Sequence, residues 1–308
     1  MKKSKITKQI KNKALELGFS DVGFSKSREL IEEKQNYSNW LNNEYHADMN
    51  YLANNFEKRF NPELLIDNAK TVISVILNYY PNKIQNKDTL QISKYAYGRD
   101  YHKVVKNKLK KLAEYINDEL ININYRFFTD SAPVLDRKWA QLSGLGWIGK
   151  NSLLINKKYG SYFFIGELII DVELEYDKPI KDACGTCTKC IDACPTQAIV
   201  QEKVVDANKC ISYLTIENKG EINAGFKPDF SNQIFGCDIC QDVCPWNSKL
   251  EATNELDFQP KEELFSLTKE NWTNLDEEKF NEIFQASAVK RAKYEGLKRN
   301  IDFITKTQ

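Results

Sequence analysis

Eight cysteines are the residues of this sequence whose type and spacing point most directly to chemistry. All of them lie between Cys184 and Cys244, and the rest of the 308-residue chain contains none. The first four form the run C-x2-C-x2-C-x3-C-P, which binds iron–sulfur clusters in bacterial ferredoxins. Residues 237–245 repeat the last three cysteines of this run, and Cys210 lies between the two runs.

This spacing predicts two [4Fe-4S] clusters, because the fourth cysteine of such a run binds the other cluster. The first group of ligands is Cys184, Cys187, Cys190 and Cys244, and the second group is Cys194, Cys210, Cys237 and Cys240. Two structural zinc sites are the alternative, but zinc motifs usually show C-x2-C pairs separated by longer loops. Clusters of this kind carry single electrons, so another part of the chain must receive them.

Composition limits the remaining classes of protein. The chain is 42% hydrophobic and 28% charged, as globular proteins are, and its net charge of +1 favours no particular partner. No apolar run reaches the length of a membrane span, and the basic N-terminus lacks the apolar core of a secretion signal. We therefore expect a cytoplasmic protein without a membrane partner, in which clustered cysteines bind metal rather than form disulfides.

The hydrophobic pattern predicts an α+β fold in three segments: residues 1–178, residues 179–250 with the cysteines, and residues 251–308, which are helical with a basic end. The first segment is predicted to contain helices at 1–17, 28–56, 101–120 and 133–143. Strands are predicted at 21–24, 69–80 and 121–129, the last ending at Asp130, and a hairpin joins 153–155 to 161–172.

Several common cofactor motifs are missing from the sequence. No G-x-G-x-x-G follows a predicted strand and no P-loop is present, so neither a Rossmann dinucleotide site nor a P-loop phosphate site is predicted. The only histidines are His46 and His102, and neither lies in a D-x-H-x-x-G pattern. A non-haem iron triad and a cobalamin with a histidine lower ligand of that type are therefore not expected.

Motifs outside the cysteine region resemble those of the epoxyqueuosine reductase family. In chain order they are E-K-R at 57–59 before N-P at 61–62, Y-G-R-D-Y-H at 97–102, Asp130, L-D-R at 135–137, G-L-G-W-I-G-K-N at 144–151, G-S at 160–161, G-E at 166–167, A-V-K-R-A-K at 288–293 and R-N-I at 299–301. Together they cover nearly the whole chain, which makes the resemblance far more specific than the ferredoxin run alone.

The resemblance implies a cobalamin-binding domain related to reductive dehalogenases, followed by a ferredoxin-like domain with two [4Fe-4S] clusters and a helical C-terminal tail. It implies reduction of epoxyqueuosine to queuosine at the wobble position of tRNA, with cob(I)alamin generated through the clusters. By this resemblance we expect the short form of the family, without C-terminal helical repeats. The expected partners are the tRNA anticodon loop as substrate and an electron donor of unknown identity, and the protein is expected to be a monomer.

The resemblance also assigns roles to residues of the first segment. Asp130 is expected at the cofactor as the proton donor, with partial burial raising its pKa. The alternative is that Asp130 or Ser131 only caps a helix beginning at Pro133. Arg59 is expected to hold a carboxamide or phosphate of cobalamin, and the alternative is a simple surface charge.

Weaker assignments complete the expected cofactor site. By the resemblance, Ser93 aligns with a corrin-side position of the family. The backbone groups of Leu154 and Ile165 are expected to contact side arms of the corrin. Ser212 and Thr215 are expected to lie between an iron–sulfur cluster and the corrin. For Leu154 and Ile165 the alternative is a place in the core. A basic helix face at 103–111 and the basic tail at 286–308 are candidate sites for tRNA phosphates.

Two other functions remain open on the sequence. A cobalamin and iron–sulfur enzyme similar to the reductive dehalogenases would act on a small molecule, but such enzymes typically carry an export signal. A non-catalytic carrier with two clusters would leave about 180 cysteine-free residues and Asp130 without a role. Bound cobalamin would separate the carrier from both enzymes.

Overall fold

The computed structural model describes residues 3–306. The strands are β1 (Asp21–Lys26), β2 (Thr71–Asn78), β3 (Gln91–Ile92), β4 (Tyr125–Phe128), β5 (Trp147–Ile148), β6 (Leu154–Ile155), β7 (Phe163–Ile170), β8 (Ile199–Gln201), β9 (Val204–Val205) and β10 (Gln233–Phe235). The helices are α1 (Lys3–Glu16), α2 (Ile31–Asn42), α3 (Phe56–Phe60), α4 (Tyr101–Tyr115), α5 (Asp136–Leu142), α6 (Lys189–Asp192), α7 (Ile211–Ile216), α8 (Ile239–Asp242), α9 (Glu262–Ser266), α10 (Lys269–Thr273), α11 (Glu277–Ile283) and α12 (Lys293–Thr305).

An antiparallel sheet organises the first half of the described chain, with strand order β1-β2-β7-β4. Its central strands are almost continuously apolar, because helices cover both faces. On one face, alternate residues of β2 and β7 pack with α1 and α4. On the other face, the intervening residues pack with α5 and with Phe60 of α3.

Helix α4 lies unusually close to the sheet, and this approach positions its first turn. A Cβ atom at Gly166 of β7 would lie 2.8 Å from Val105 Cγ1 and 2.9 Å from Leu109 Cδ1. Asp100 caps the helix by accepting a hydrogen bond from the backbone N–H of His102. Tyr101 and His102 therefore start the helix at a defined place beside the strand β4.

Several predicted elements differ from the observed ones. The helix predicted from residue 133 begins at Asp136, and the strand predicted over 121–129 is limited to Tyr125–Phe128. The helix predicted over 28–56 ends at Asn42, where the chain turns. The predicted hairpin is wrong as well, because β6 pairs with β5, while β7 pairs with β2 and β4.

The C-terminal helices pack against residues from all three predicted segments. One core cluster contains Ile92 of β3, Phe235 of β10 and Trp272 of α10. Asn300 of α12 is fully buried, and its amide donates to the carbonyl oxygens of Thr215 and Ile234, each at 2.8 Å. The expected helical tail is confirmed, while the three segment boundaries stay a prediction. No helix within residues 3–306 is long and apolar enough to cross a membrane.

Candidate active site and cluster region

Asp130 lies in the loop directly after β4, with a backbone φ of 56° in the left-handed region. The preceding Thr129 is buried, and its hydroxyl donates to the carbonyl oxygen of Ile165 at 2.7 Å. After the loop, α5 begins only at Asp136, and neither Asp130 nor Ser131 caps it. The capping alternative for Asp130 is therefore wrong. Its side chain is 61% exposed, so the carboxylate is accessible from solvent.

Two donors from the first turn of α4 meet the Asp130 carboxylate. The Tyr101 hydroxyl donates to Oδ2 at 2.7 Å, and His102 Nε2 lies 3.3 Å from the same oxygen. On its other side, His102 Nδ1 lies 2.7 Å from Asp100 Oδ1. Tyr101 is held between rings, stacked at 4.1 Å on Phe164 and at 4.2 Å on His102. The imidazole thus bridges two carboxylates.

These contacts determine the protonation states of Asp130 and His102. The surrounding protein keeps water from part of the carboxylate and so acts to raise the pKa of Asp130, but hydrogen bonds from His102 and Tyr101 more than offset this effect, and the pKa lies below its ordinary value. Asp100 and Asp130 raise the pKa of His102 to about 9. The expected raised pKa of Asp130 is therefore wrong: at neutral pH the carboxylate is ionised, and His102 holds the proton.

Further charged groups surround the Asp130 loop. Arg59 is buried, its guanidinium donates to the carbonyl oxygen of Tyr51 at 2.8 Å, and its Nε has no partner within residues 3–306. The alternative of a surface charge for Arg59 is therefore wrong. Burial raises the pKa of the Tyr51 hydroxyl, on which the charges of Asp130 and Arg59 also act. Burial and the charge of Asp130 raise the pKa of Asp136 to about 6.

The two cysteine runs adopt the same local structure. Each forms one short helical turn, α6 or α8, followed by a cysteine and a proline, and the two turns pack against each other. In α6 the carbonyl oxygen of Thr188 accepts from the backbone N–H groups of residues 191 and 192, and in α8 Asp238 does the same for residues 241 and 242. The repeated motif in the sequence is thus a repeated structure.

The structure gathers the cysteines in the two predicted groups. Cys244 lies close enough to Cys184 and Cys187 for their charges to raise its pKa, which burial raises most. Burial and the charges of Cys237, Cys210 and Cys194 raise the pKa of Cys240 well above its ordinary value. Each run therefore contributes its last cysteine to the neighbourhood of the other group, although the assignment of each cysteine to a cluster stays a prediction.

An aromatic path connects Asp130 with the second cysteine group. The ring centroid of Tyr95 lies 6.3 Å from that of Tyr101 and 6.0 Å from that of Phe235, which precedes Gly236 and Cys237. Burial and the charges of Asp130 and Asp238 raise the pKa of Tyr95. The candidate acid and the second cysteine group thus border the same buried aromatic residue.

The other predicted cofactor residues lie in several environments. Ser93 is buried just before the turn that precedes α4, and Leu154 is buried in the core with Phe163. The carbonyl oxygen of Ile165 already accepts from Thr129. Ser212 is half-buried on α7, two residues after Cys210. Cofactor contacts of these residues stay predictions.

Thr215 has an observed structural role. Its hydroxyl donates to the carbonyl oxygen of Ile211 at 2.7 Å and accepts from the backbone N–H of Gly236 at 2.9 Å. It therefore ties α7 to the loop that carries Cys237. A contact between Thr215 and a corrin also stays a prediction.

Sequence reasoning assigned no role to several residues of the site. Tyr101, His102 and Asp100 lay inside the quoted motif at 97–102 but received none, because the motif does not reveal that α4 starts beside Asp130. Lys94 was also missed: this buried lysine lies 2.7 Å from Asp242 and 3.4 Å from Asp238, beside the second cysteine run. A lysine amid apolar residues one position after Ser93 was the only available signal.

Similarity to known proteins agrees with the geometry. The family model described as "Epoxyqueuosine reductase QueG, DUF1730" matches residues 59–131, and that of the "4Fe-4S double cluster binding domain" matches residues 183–247. An epoxyqueuosine reductase of Cellulophaga algicola is 55% identical, over 98% of this chain and 99% of its own length. The chain belongs to the epoxyqueuosine reductase family. The Escherichia coli epoxyqueuosine reductase is 41% identical over 97% of this chain and 80% of its own length.

Solved structures extend this relationship. An epoxyqueuosine reductase crystallised with an epoxyqueuosine-modified tRNA-Tyr stem loop matches 97% of this chain and 80% of its own, with a TM-score of 0.89 and 27% identity. A catabolic reductive dehalogenase shares the fold at a TM-score of 0.50 and 16% identity, over 81% of this chain and 33% of its own. The predicted family and the α+β fold related to reductive dehalogenases are confirmed.

The residues at the first cysteine group fit the [4Fe-4S] cluster expected for this family. No three His, Cys, Asp or Glu side chains within residues 3–306 converge as ligands of a single ion do. Instead Cys184, Cys187, Cys190 and Cys244 line the walls of a cavity of about 240 Å³. The Trp147 indole N–H donates to Cys184 Sγ at 3.4 Å, a contact of the kind that adjusts cluster potentials.

Arg59 fits the cobalamin expected for the same family. Cobalamin carries carboxamide side arms and a phosphate, both of which accept hydrogen bonds. A buried guanidinium N–H that has no partner within residues 3–306 and lies beside Tyr51 matches that requirement, since buried donors are normally satisfied. The donor set near Asp130 is therefore compatible with this cofactor.

Proposed function

We propose that this protein is a cytoplasmic, monomeric oxidoreductase that reduces epoxyqueuosine to queuosine at the wobble position of tRNA, with cobalamin and two [4Fe-4S] clusters as cofactors. The observation that carries the proposal is the accessible Asp130 carboxylate, held by Tyr101 and His102 and separated from the second cysteine group by Tyr95. Family membership narrows the substrate, because the related stem-loop complex contains epoxyqueuosine.

The chemistry sets clear demands on the site. Converting an epoxide to an alkene breaks two C–O bonds, consumes two electrons and two protons, and releases the oxygen as water. Cobalamin, when bound, supplies low-potential electrons at the substrate. The protein must therefore hold the epoxide, exclude competing water and deliver protons to the departing oxygen. Asp130 is the accessible group that delivers them.

The protein residues proposed for the corrin are those of the predicted site. Arg59 offers a guanidinium N–H to a carboxamide or phosphate, and Ser93 lies on the segment that leads into α4. The backbone of Leu154 and Ile165 and the α7 residues Ser212 and Thr215 complete the set. An iron–sulfur cluster bound by the residues around Cys210 would then border the corrin.

The cysteine groups suggest a direction for electrons. Residues beside the first group, such as Gly185 and Lys189, are exposed, whereas Asp238 and Gln241 beside the second group are buried. We assign entry of electrons from an external donor to the first cluster and delivery toward the corrin to the second. This order places the more protected cluster nearer the substrate.

The tRNA phosphates are assigned to α4 rather than to the tail. Lys106 Nζ donates to Ser131 Oγ at 2.9 Å, beside Asp130, and Lys103 and Lys111 are exposed on the same helix. In the tail, Arg299 donates to the carbonyl oxygens of Leu214, Asn218 and Gly220, which ties it to the fold. The wobble base must leave its stack to reach a buried cofactor.

Nucleoside mass spectrometry tests the proposal. Holoprotein, reconstituted anaerobically with cobalamin and both clusters, is mixed with an epoxyqueuosine-containing anticodon stem loop and a strong reductant. We expect queuosine from the wild type and its loss, by at least about 100-fold in rate, in Asp130→Ala and Asp130→Asn. Asp88→Asn, an exposed aspartate in a distant turn, is the matched control and should retain the wild-type rate.

Two results would contradict the proposal. Holoprotein with cobalamin and both clusters that forms no queuosine would exclude the tRNA substrate and favour a small-molecule reductase. Queuosine formation at the wild-type rate by Asp130→Asn would keep the reaction but remove Asp130 from its assigned role.

A further inference from the structure

We propose that His102 is the proton store of the reaction, transferring a proton through Asp130 to the departing epoxide oxygen. The inference rests on the proposed function and adds a residue to which the sequence assigned no role. Geometry carries it: His102 Nε2 faces Asp130 Oδ2 at 3.3 Å, and Nδ1 faces Asp100 Oδ1 at 2.7 Å. The three side chains form a continuous line from α4 to the exposed carboxylate.

The need for a second group follows from the state of Asp130. An aspartate that accepts from both Tyr101 and His102 is ionised at neutral pH, so it carries no proton of its own. His102 lies between two carboxylates, and its pKa of about 9 keeps it protonated there. The imidazolium is therefore the nearest acid, and Asp130 passes its proton on.

This arrangement accounts for both protons and both electrons that the reduction consumes. One proton moves from His102 Nε2 to Asp130 Oδ2 and then to the epoxide oxygen as the C–O bonds break. Cobalamin and the clusters, when bound, would supply the two electrons that the reduction consumes. His102 is 33% exposed, so it regains a proton from solvent and supplies the second one, and the oxygen leaves as water.

Tyr101 is the other neighbour of Asp130, and it is a poorer proton source. Burial and the charge of Asp130 raise its pKa, so its proton is held more tightly than that of an ordinary tyrosine. Other charged groups also surround this line of side chains. The charge of Lys103 acts on Asp100. The charged groups around Asp130 and its loop are Arg137, Arg59, Asp136 and Arg291. Of His102 and these charged groups, it is His102 that contacts the Asp130 carboxylate and is an acid with a pKa of about 9.

An NMR titration measures the proton store without the reaction. The chain has only two histidines, so the imidazole signals of the oxidised holoprotein are few, and His46→Gln assigns them. We expect His102 to titrate near pH 9, and its midpoint to fall in Asp130→Asn because one of its two carboxylate partners is lost. A midpoint near the ordinary histidine value of about 6.5 would overturn the proposal.

Single-turnover kinetics measure the proton transfer itself. In the wild type, the rate of queuosine formation should fall as pH rises through about 9, because the acid loses its proton. His102→Gln keeps a side-chain amide beside Asp130 but no acid, so we expect a loss of about 100-fold at neutral pH and no break near pH 9. Imidazole added to His102→Ala should restore part of the rate, and His46→Gln should behave as wild type.

The outcomes separate the two proposals. A wild-type rate in His102→Gln, or a slow variant that keeps the break near pH 9, would mean that His102 only positions Asp130, and would overturn the inference. If the wild-type holoprotein makes no queuosine while His102 titrates near pH 9 and responds to Asp130→Asn, the proposed function fails, and with it the role of His102 in that reaction, while the coupling of the His102 proton to Asp130 is retained.

Discussion

Asp130 shows which properties of a single residue can be predicted from the sequence and which require the structure. Its importance could be predicted from its motif, but its protonation could not. The two hydrogen-bond donors that lower its pKa come from the start of α4, and His102 lies 28 positions earlier in the sequence. The close packing of α4 on Gly166 and the Asp100 cap place the start of the helix beside Asp130. The position of an acid in a motif does not reveal its donors, and the donors decide its pKa.

Glu167 provides a test at the same scale. This β7 residue is 1% exposed, neither carboxylate oxygen has a partner within residues 3–306, and burial raises its pKa well above the ordinary value. The folded protein keeps Glu167 protonated at a pH at which the unfolded chain ionises it. The free energy of unfolding should therefore fall by about 1.4 kcal/mol per pH unit above about pH 4.5, until the folded pKa is reached.

Glu167→Gln removes this titration and keeps the shape of the side chain. Its thermal unfolding midpoint should change less between about pH 5.5 and about pH 8 than that of the wild type. Glu175→Gln, at an exposed position, is the control and should follow the wild type. Parallel pH dependence of Glu167→Gln and wild type would show that Glu167 is ionised in the folded protein.

At the scale of elements, the strands of the sheet core could be predicted and their partners only in part. The apolar run over 69–80 indicated β2, since a strand covered on both faces needs such a run. The predicted hairpin failed because β7 reaches across the sheet to β2 and β4, a choice that local sequence does not encode. Pro133 suggested a helix start, yet the Asp130 loop extends to Asp136.

Gly98 offers a test of how one element positions another. A Cβ atom there would lie 2.5 Å from Phe258 Cα and 2.7 Å from the Asp257 carbonyl oxygen, both backbone atoms. The neighbouring Arg99 N–H donates to the same carbonyl oxygen at 2.7 Å. Gly98→Ala should therefore destabilise the fold by about 1 to 3 kcal/mol and lower the rate by displacing the start of α4.

Gly296 is the matched control for this substitution. It lies inside α12, and its added Cβ would meet Ala292 Cβ at an ordinary distance of 3.4 Å. Gly296→Ala should stabilise the protein by about 0.4 to 1 kcal/mol, since alanine restricts the unfolded chain. Thermal unfolding measures both variants, and equal effects at the two sites would contradict the importance of the Gly98 contact.

At the scale of the whole molecule, the crossed cysteine groups could be proposed from the sequence alone, and the assignment of each cysteine to a cluster stays a prediction. The spacing of the runs and the position of Cys210 were enough to divide the ligands, because the rule concerns how far thiolates can reach. The corrin-side residues could be proposed only through family resemblance. Their motifs are dispersed between residues 59 and 215, and no local pattern connects them.

Paired substitutions test the crossing directly. Cys184→Ser combined with Cys244→Ser removes two ligands of the first group, so about four irons per chain and one reduced-cluster EPR signal should remain. Cys184→Ser combined with Cys194→Ser damages both groups, and both clusters should be lost. If each run instead bound its own cluster, the two double variants would give the opposite results.

The proximity of Cys244 to Cys184 and Cys187 also bears on how the protein is made. During synthesis, three thiols of the first run leave the ribosome before the fourth ligand of their group, which is encoded 54 positions after Cys190. Neither prosthetic group can be completed until the second run has emerged and α8 has docked on α6. Iron delivery is thereby delayed until the chain has folded, and a truncated product would carry neither centre.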